Sequence, residues 1–491
     1  MGKQVVKTKF AGYIALGKIF ATVLNFAIPL FLTRFLSKND YGLYSQYYTV
    51  TLFIGQIFSM GIYSSLFYFY PNAGDGERKS YVGNVFVMLL ILGLLGCIFT
   101  ILPISKDILF GEGELLKYSL IISISVLLII PSTMLSPMYV VRLDKTNTVL
   151  YPPVEIIAKV SVIFLCSILF GTLRSILVGV VFFHLAVFLY TVLNVFFDRK
   201  FKFIFSVDKV LFKKQLTYAI PFGLTIILST FSQRFDKIIS ITYLSTNEFA
   251  IYSIAFFGIP GVQQIYDSLS QVNVMQMAVE HKKGNREGVI RNYRNFVVKT
   301  LSFSVPIIFI VFLYSREIII FLFTKTYEQS TFFFRIYILS FIVGMFGAGT
   351  ILRAIGKTNL SFRAFLMSVV FSIPTTYFLI RSYGANGAII SAMVGILLPK
   401  IIQMFFEMRT LNISFKEYFP WTQIFKITMI SCGLLVPFIL IHETINLNTY
   451  LCFMLSIVYL SGTYLLMIRQ NVFLINGSQI NLIINKYIKK R

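Results

Sequence analysis

Long apolar runs separated by short polar segments make up most of this sequence. A helix that spans a membrane needs about 20 mostly apolar residues, and dividing the chain by that rule predicts fourteen spans. In chain order the predicted spans are residues 11–33, 47–70, 84–104, 118–140, 150–170, 175–197, 217–243, 249–277, 296–315, 329–351, 362–380, 385–406, 422–442 and 449–468. The pattern therefore predicts an all-α polytopic membrane protein with about fourteen transmembrane helices.

One of the polar segments occurs twice. Leu36–Ser45 reads LSKNDYGLYS, and Leu244–Ser253, 208 residues later, reads LSTNEFAIYS. Two weaker pairs of similar segments occur in the same order. RLDKTN at Arg142–Asn147 is similar to RAIGKTN at Arg353–Asn359, and Lys106–Ile108 is similar to Arg316–Ile318. Similarity at a nearly constant spacing is typical of an internal duplication, here of a unit of about 200 residues.

The duplicated unit contains six predicted spans. Because six is an even number, both copies cross the membrane in the same direction, as in transporters built from parallel repeats. We therefore expect an N-terminal six-helix lobe at residues 1–205 and a C-terminal six-helix lobe at 206–412. Residues 413–491 then form an extra helix pair and a basic cytoplasmic tail.

Composition supports a membrane location. Of the 491 residues, 57% are hydrophobic and 13% are charged, and the mean hydropathy is +0.78. A soluble protein of this size could not bury so much apolar surface.

The net charge of +24 would suggest a nucleic-acid partner in a soluble protein. In the predicted topology, however, the inner segments hold 28 Lys and Arg residues and the outer loops hold 8. Positive charge collects in cytoplasmic loops, so both termini are expected in the cytoplasm. No nucleic-acid partner is expected.

Catalytic and metal chemistry find little support in the sequence. The three histidines, His184, His281 and His442, have neither metal-ligand nor triad spacing, and no Gly-rich phosphate loop precedes a Lys-Ser or Lys-Thr pair. The four cysteines all lie in apolar runs. We expect no enzyme activity, no metal and no cofactor.

Charged residues inside the predicted spans are the first candidates for function. Arg234, Asp236 and Lys237 share the seventh predicted span, and Lys159 lies in the fifth. An intramembrane charge costs at least about 2.5–3.5 kcal/mol on insertion scales, so it usually faces a wet cavity. Asp236 is either half of a structural ion pair with its neighbours or a proton or sodium site. Lys159 either has a function or pairs with Glu155, one helical turn earlier.

A polar stripe follows the eighth predicted span. Gln263, Asp267 and Gln271 recur every four residues, with Gln264 beside them, and Gln56 lies 208 residues before Gln264. Such periodicity marks one helix face turned away from lipid. Amides suit sugar hydroxyls because both groups donate and accept hydrogen bonds, but plain interhelical hydrogen bonds would give the same pattern. Asp267 is a second candidate for ion coupling.

Four stretches resemble the Wzx-type oligosaccharide flippases of the MOP exporter superfamily. They are RFLSKNDYGLYS from Arg34, QRFDKIISITYLSTNEFAIYS from Gln233, REIIIFLFTKTYEQS from Arg316 and YGANGAIISA from Tyr383. The resemblance covers nearly the whole chain. It implies two six-helix lobes around a central cavity that opens alternately to either side of the membrane.

The resemblance also implies the cargo and the partners. The protein would move polyisoprenyl-diphosphate-linked oligosaccharide repeat units, for O-antigen of lipopolysaccharide, capsule or a similar polysaccharide, to the outer leaflet of the cytoplasmic (inner) membrane. Membrane lipids and a polysaccharide polymerase complex are the expected partners, and a monomer suffices because the cavity lies inside one chain. Residues expected to contact the diphosphate are Arg234, Lys237 and Lys159, and those expected to contact sugar are Gln56, Gln263, Gln264 and Gln271.

Two alternatives share this architecture. A lipid II-type flippase differs mainly in cargo, and its basic residues in the first two helices have no clear match here, where Lys18 and Arg34 flank the first helix. A MATE-type drug/cation antiporter needs an anionic cavity, whereas cations outnumber Asp236 and Asp267 in the spans. We expect transport of an anionic, sugar-bearing lipid.

Overall fold

The computed structural model of this chain describes residues 20–111, 113–197, 205–259, 261–444 and 448–472, nearly all of them in helices. The N-terminal helices are α1 Ala27–Phe35, α2 Lys38–Ser59, α3 Ser65–Phe69, α4 Asp75–Ile101, α5 Pro103–Leu109, α6 Ser119–Ser132, α7 Leu135–Val141, α8 Lys145–Phe170, α9 Leu173–Phe196, α10 Lys209–Tyr243 and α11 Thr246–Ala255. The later helices are α12 Val262–Lys282, α13 Arg286–Leu313, α14 Ser315–Phe323, α15 Ser330–Gly344, α16 Thr350–Ala354, α17 Thr358–Leu411, α18 Phe415–Tyr418, α19 Trp421–Thr444 and α20 Thr449–Arg469.

The chain divides into two compact units. Unit 1 comprises Met1–Ile254 and Phe365–Gly395, and unit 2 comprises Ala255–Ala364 and Ile396–Arg491. The middle of α17 therefore belongs to unit 1 while its two ends belong to unit 2. The lobe boundaries expected from the duplication, after residues 205 and 412, stay a prediction.

Many of the described helices can cross a membrane. Nine are long and apolar enough, and α2 together with Ile62–Phe69, bent by 48°, makes a tenth candidate. Large apolar side chains on these helices face outward, such as Leu169 of α8 and Leu465 of α20, which are 68% and 67% exposed. A surface of this kind requires lipid as its solvent. The all-α polytopic class is thus confirmed, although the number of fourteen spans is not.

Several of the predicted spans differ from the described helices. Residues 11–19 of the first predicted span lie outside the described ranges. The predicted eighth span, 249–277, is divided into α11 and α12, since the segment between them includes Gly261 at φ +87°, a left-handed backbone that a helix interior does not contain. The predicted tenth span corresponds to α15, which has 15 residues.

Helix α17 corresponds to two predicted spans. Its 54 residues would extend about 80 Å if straight, far more than the hydrocarbon thickness of about 30 Å. Gly384 interrupts it with φ 54° and ψ −132°, a conformation that glycine adopts at little cost. The interruption falls between the predicted eleventh and twelfth spans.

The repeated polar segment has the same local structure in both copies. Ser37 accepts a hydrogen bond from the Asp40 N–H at 3.1 Å and its hydroxyl donates to the Asp40 carboxylate at 2.8 Å. Ser245 accepts from the Glu248 N–H at 3.3 Å and donates to the Glu248 carboxylate at 2.8 Å. Each serine is thus a side-chain N-cap, at the start of α2 and of α11. In the second copy the Ser245 N–H also donates to the Glu248 carboxylate at 2.9 Å, which completes a capping box. The duplicated sequence therefore encodes a helix start.

The two copies also lie against each other within unit 1. A Cβ added to Gly42 of α2 would collide with the backbone carbonyl of Thr246 in α11. Glycine at position 42 therefore permits a close approach of the two helices, which a larger residue would prevent.

Unit 2 is built around α13. Tyr293, Phe296 and Leu301 of this helix are buried together with Ile427 of α19 and Met467 of α20. The extra C-terminal helix pair thus shares one hydrophobic core with the helix that follows α12.

Candidate functional site

A polar cavity of about 250 Å³ lies in unit 1 beside the end of α2 and the middle of α10. We call it the polar cavity, and its lining residues are Gln56, Ser59, Gly61, Tyr63, Ile226, Ser229, Thr230, Gln233 and Arg234. Amides and hydroxyls both donate and accept hydrogen bonds, and one guanidinium adds a positive charge. The cavity therefore suits a ligand that carries hydroxyl groups next to an anion.

A break in the second predicted span forms one wall of the polar cavity. Helix α2 ends at Ser59 because Met60 and Gly61 have positive φ values of 46° and 58°. The Ser59 hydroxyl donates to the Gln56 carbonyl at 3.2 Å, which satisfies a backbone group near the break. Opposite the break, a Cβ on Gly223 would lie 2.9 Å from the Met60 Cβ. Glycine here lets α10 approach the broken helix closely.

Arg234 supplies the positive charge of the polar cavity. Its side chain is half-buried and, within the described ranges, forms no hydrogen bond or ion pair. The hydroxyls of Ser229 and Thr230 donate to the Ile226 carbonyl at 2.9 and 2.8 Å, so their oxygens keep lone pairs for a ligand. The guanidinium is therefore available to an anion that enters the cavity.

A second cavity in unit 1, also of about 250 Å³, contains Lys159. We call it the tyrosine cavity because Tyr44, Tyr47, Tyr48 and Tyr151 line it. The Lys159 Nζ lies 4.9 Å from the centre of the Tyr48 ring, within range of a cation–π interaction.

Two further titratable side chains face the tyrosine cavity. Glu155 and His184 are among its lining residues. In the part of the chain that the structure describes, Lys159 forms no ion pair with Glu155. The ammonium group therefore lies against an aromatic face and makes no direct ion pair with the carboxylate one turn earlier.

Asp236 is hydrogen-bonded to Tyr252 of the repeated segment. The carboxylate is buried, with 5% of the residue exposed, and accepts a hydrogen bond from the Tyr252 hydroxyl. That hydroxyl also lies 3.3 Å from the Ala388 carbonyl of α17. Lys237, the next residue, is half-buried and lines neither of the two cavities. The Asp236 contacts thus connect α10, α11 and α17 within unit 1.

The polar stripe of α12 lies in unit 2. Gln263, Asp267 and Gln271 are exposed, and the Gln263 amide donates to the Asp267 carboxylate at 3.0 Å. Gln264 instead accepts from the Gly261 N–H at 3.0 Å and so caps the start of its own helix. Of the four residues predicted to form the stripe, Gln264 therefore has a structural role, because its side chain caps the first turn of α12.

The predicted site residues are only partly brought together. Gln56 and Arg234 share the polar cavity, whereas Lys159 lines the tyrosine cavity. Sequence analysis did not select Gln233 or Tyr48 as site residues. Gln233 directly precedes Arg234 at the start of the second stretch that carries the family resemblance, and that adjacency is a signal that could have indicated it.

Three solved structures share this fold at low sequence identity. The lipid II flippase MurJ, in an inward closed conformation, is 18% identical and covers 97% of this chain and 99% of its own, with a TM-score of 0.69. An inward-facing multidrug resistance MATE family transporter of the MOP superfamily is 13% identical, with coverages of 80% and 94% and a TM-score of 0.61. A MOP superfamily transporter from Pyrococcus furiosus, described as having a binding pocket of reverse polarity, is 13% identical, with coverages of 82% and 95% and a TM-score of 0.55.

The chain has the fold of the MurJ and MATE structures, a polytopic bundle of helices that can span a membrane. The family model described as polysaccharide biosynthesis protein matches residues 8–272. This chain belongs to that family, which confirms the resemblance at the level of the family, while the Wzx type stays a prediction. No curated protein sequence matches the chain.

Proposed function

We propose that this protein flips polyisoprenyl-diphosphate-linked oligosaccharide repeat units from the inner to the outer leaflet of the cytoplasmic membrane by alternating access. The observation that carries the proposal is the polar cavity, where Arg234 lies among amides and hydroxyls in a chain of the polysaccharide biosynthesis family. O-antigen, capsule or a similar polysaccharide is the product that such a carrier serves.

The physical task explains why these residue types are needed. A diphosphate with attached sugars cannot cross hydrocarbon, because removing its charges and hydroxyls from water costs many kcal/mol. A guanidinium forms paired hydrogen bonds to phosphate oxygens, and amides replace the water around sugar hydroxyls. The polyisoprenyl tail needs no such replacement and stays in the bilayer.

The size of the polar cavity limits what it contacts. Pockets that enclose a drug-sized ligand have volumes of about 300–1,000 Å³, and this cavity has about 250 Å³. It therefore contacts only a part of the substrate, which we assign to a phosphate and its adjoining sugar, with Arg234 on the phosphate and Gln56 and Gln233 on the sugar.

The other predicted site residues complete the proposal. Lys159 and the ring of Tyr48 in the tyrosine cavity suit the charged and apolar faces of a sugar phosphate. Lys237 adds positive charge beside Arg234 on α10 and is assigned to the diphosphate. Gln263, Gln264 and Gln271 on α12 are assigned to sugar, with Gln264 restricted by its capping bond.

Energy coupling by a proton or sodium gradient is the second part of the proposal. Asp267 is exposed beside Gln263, whereas Asp236 is buried against Tyr252. Asp267 is thus the more accessible of the two carboxylates to an ion. Collapse of each gradient in turn with a selective ionophore should slow export, and export that is indifferent to both gradients would contradict the coupling.

The assignment of Arg234 is tested by its neutral variant. Arg234→Gln should reduce export of the polysaccharide about tenfold or more, because a hydrogen bond to a charged group contributes about 1.5–3 kcal/mol. The matched control is Arg174→Gln, which removes an exposed arginine of unit 1 that lines neither cavity. With both variants at normal expression, equal export in the two would contradict the role of Arg234.

A further inference from the structure

Unit 2 contains a larger cavity that the proposed transport site does not use. Its volume is about 920 Å³, and its lining includes Arg286, Arg291, Arg294, Lys416 and Trp421. We call it the basic groove. Four cationic side chains line it against two carboxylates, those of Glu287 and Glu417.

The basic groove lies where three candidate spans reach the membrane boundary. Two of them, Arg286–Leu313 and Trp421–Thr444, begin at the groove. Asn471 and Val472, which follow the third span Thr449–Arg469, complete its lining. A tryptophan at such a position is typical of the interface between hydrocarbon and head groups. The groove therefore opens at the depth where lipid phosphates lie.

One of the two carboxylates, that of Glu417, already has hydrogen-bond partners. Glu417 accepts hydrogen bonds from the N–H and the hydroxyl of Ser414, both at 2.9 Å. Those bonds, with the nearby charges of Arg286 and Arg294, hold the pKa of the Glu417 carboxyl below its usual value. The carboxylate stays ionised, caps α18 and offsets part of the positive charge of Arg286 and Arg294.

The arginines are held in place by main-chain carbonyls instead of carboxylates. Arg286 donates to the Asn412 carbonyl at 2.6 Å, and Arg294 donates to the Glu417 carbonyl. The Nε of Arg294 is buried and has no hydrogen-bond partner within the described ranges. Arg291 and Lys416 are exposed at the rim. The positive charge of the groove is therefore pre-positioned, and its four cations exceed its two carboxylates.

We propose that the basic groove binds the phosphate-bearing head group of an anionic phospholipid of the surrounding bilayer. The guanidinium groups match phosphate oxygens, and Trp421 packs where acyl chains begin. The C-terminal tail is a poor rival occupant, because the sequence after Val472 contains no Asp or Glu and ends in Lys489, Lys490 and Arg491. Like charges repel, so the tail adds attraction for the same anionic lipid.

The test uses the purified full-length protein and counts bound lipid by native mass spectrometry during titration with phosphatidylglycerol or phosphatidylcholine. Arg291→Gln with Lys416→Gln should weaken phosphatidylglycerol binding about thirtyfold, given the contribution of each basic residue near an anionic surface. The control pair, Lys282→Gln with Lys357→Gln, removes the same charge from exposed sites outside the groove and should bind as the wild type does. The charge-keeping pair Arg291→Lys with Lys416→Arg should retain binding.

Three outcomes would overturn the proposal: equal phosphatidylglycerol binding by the groove and control pairs, equal binding of both lipids by the wild type, or displacement of phosphatidylglycerol by millimolar inorganic phosphate at constant ionic strength. The last would assign the groove to soluble phosphate compounds. Arg234→Gln should leave lipid binding unchanged, so failure of this proposal and failure of the transport assignment are distinguishable.

Discussion

At the residue scale, two tyrosines at equivalent positions of the repeated motif have different surroundings. Tyr252 donates to the buried Asp236 carboxylate, whereas Tyr44 lines the tyrosine cavity. The residue 208 positions before Asp236 is Ile28, which is buried. The repeated segment thus has a tyrosine at this position in both copies, and among the described residues the second copy has a carboxylate contact that the first copy lacks.

This difference predicts unequal effects of the same substitution. Tyr252→Phe removes a donor from a buried carboxylate and should lower the free energy of unfolding by about 1.5–3 kcal/mol. Tyr44→Phe should change it little, because within the described ranges the Tyr44 hydroxyl has no hydrogen-bond partner. Thermal unfolding of the purified variants in one detergent measures both, and equal destabilisation would show that the Asp236 contact contributes nothing.

At the element scale, the contact between α2 and α11 depends on the absence of a side chain. Gly42 faces the backbone carbonyl of Thr246, which cannot move aside as the end of a flexible side chain would. Both helices begin at a serine N-cap of the repeated segment. The repeated segment therefore specifies where each helix starts, and Gly42 of the first copy sets how closely the two pack.

A methyl group at this contact should be costly. Gly42→Ala forces the helices apart and should destabilise the protein by about 1–3 kcal/mol, as overpacking of a close contact does. Gly76→Ala is the matched control on α4, because a Cβ there would meet nothing within 4 Å. The yield of folded protein after purification and its unfolding temperature provide the measurement, and identical values for the two variants would argue against a close α2–α11 contact.

At the scale of the whole molecule, the distribution of charge predicts the orientation in the membrane. Lys357 lies in a segment expected in the cytoplasm, and Lys325 lies in one expected outside. Both are exposed residues of unit 2. The positive-inside rule predicts that they lie on opposite sides of the membrane. The segments expected in the cytoplasm hold 28 Lys and Arg residues, and those expected outside hold 8.

Single cysteines at these two positions test the orientation. In a background without the four native cysteines, Lys325→Cys should react with a membrane-impermeant maleimide in intact cells. Lys357→Cys should react only after the cells are lysed. The reverse labelling pattern would invert the topology and place both predicted termini outside.

Apolar runs were sufficient to predict the helical, polytopic class, since length and hydropathy determine which segments can enter lipid. They did not predict the division of residues 249–277, because the positive φ of Gly261 is a local backbone feature that leaves average hydropathy unchanged. Two of the residues that intramembrane charge selected, Arg234 and Lys159, line cavities, and their contact with the diphosphate stays a prediction. It did not distinguish their two cavities, because that separation depends on packing among helices distant in sequence.

The proposed function is tested most directly by the cargo and by the direction in which it moves. In cells that lack this protein, we predict that a complete, unpolymerised, polyisoprenyl-linked repeat unit accumulates on the cytoplasmic leaflet. Extraction of the lipid-linked sugars, with a membrane-impermeant reagent to report the leaflet, measures this, and the mass identifies the cargo. Normal surface polysaccharide together with new sensitivity to cationic drugs would contradict the flippase function and indicate a drug antiporter instead.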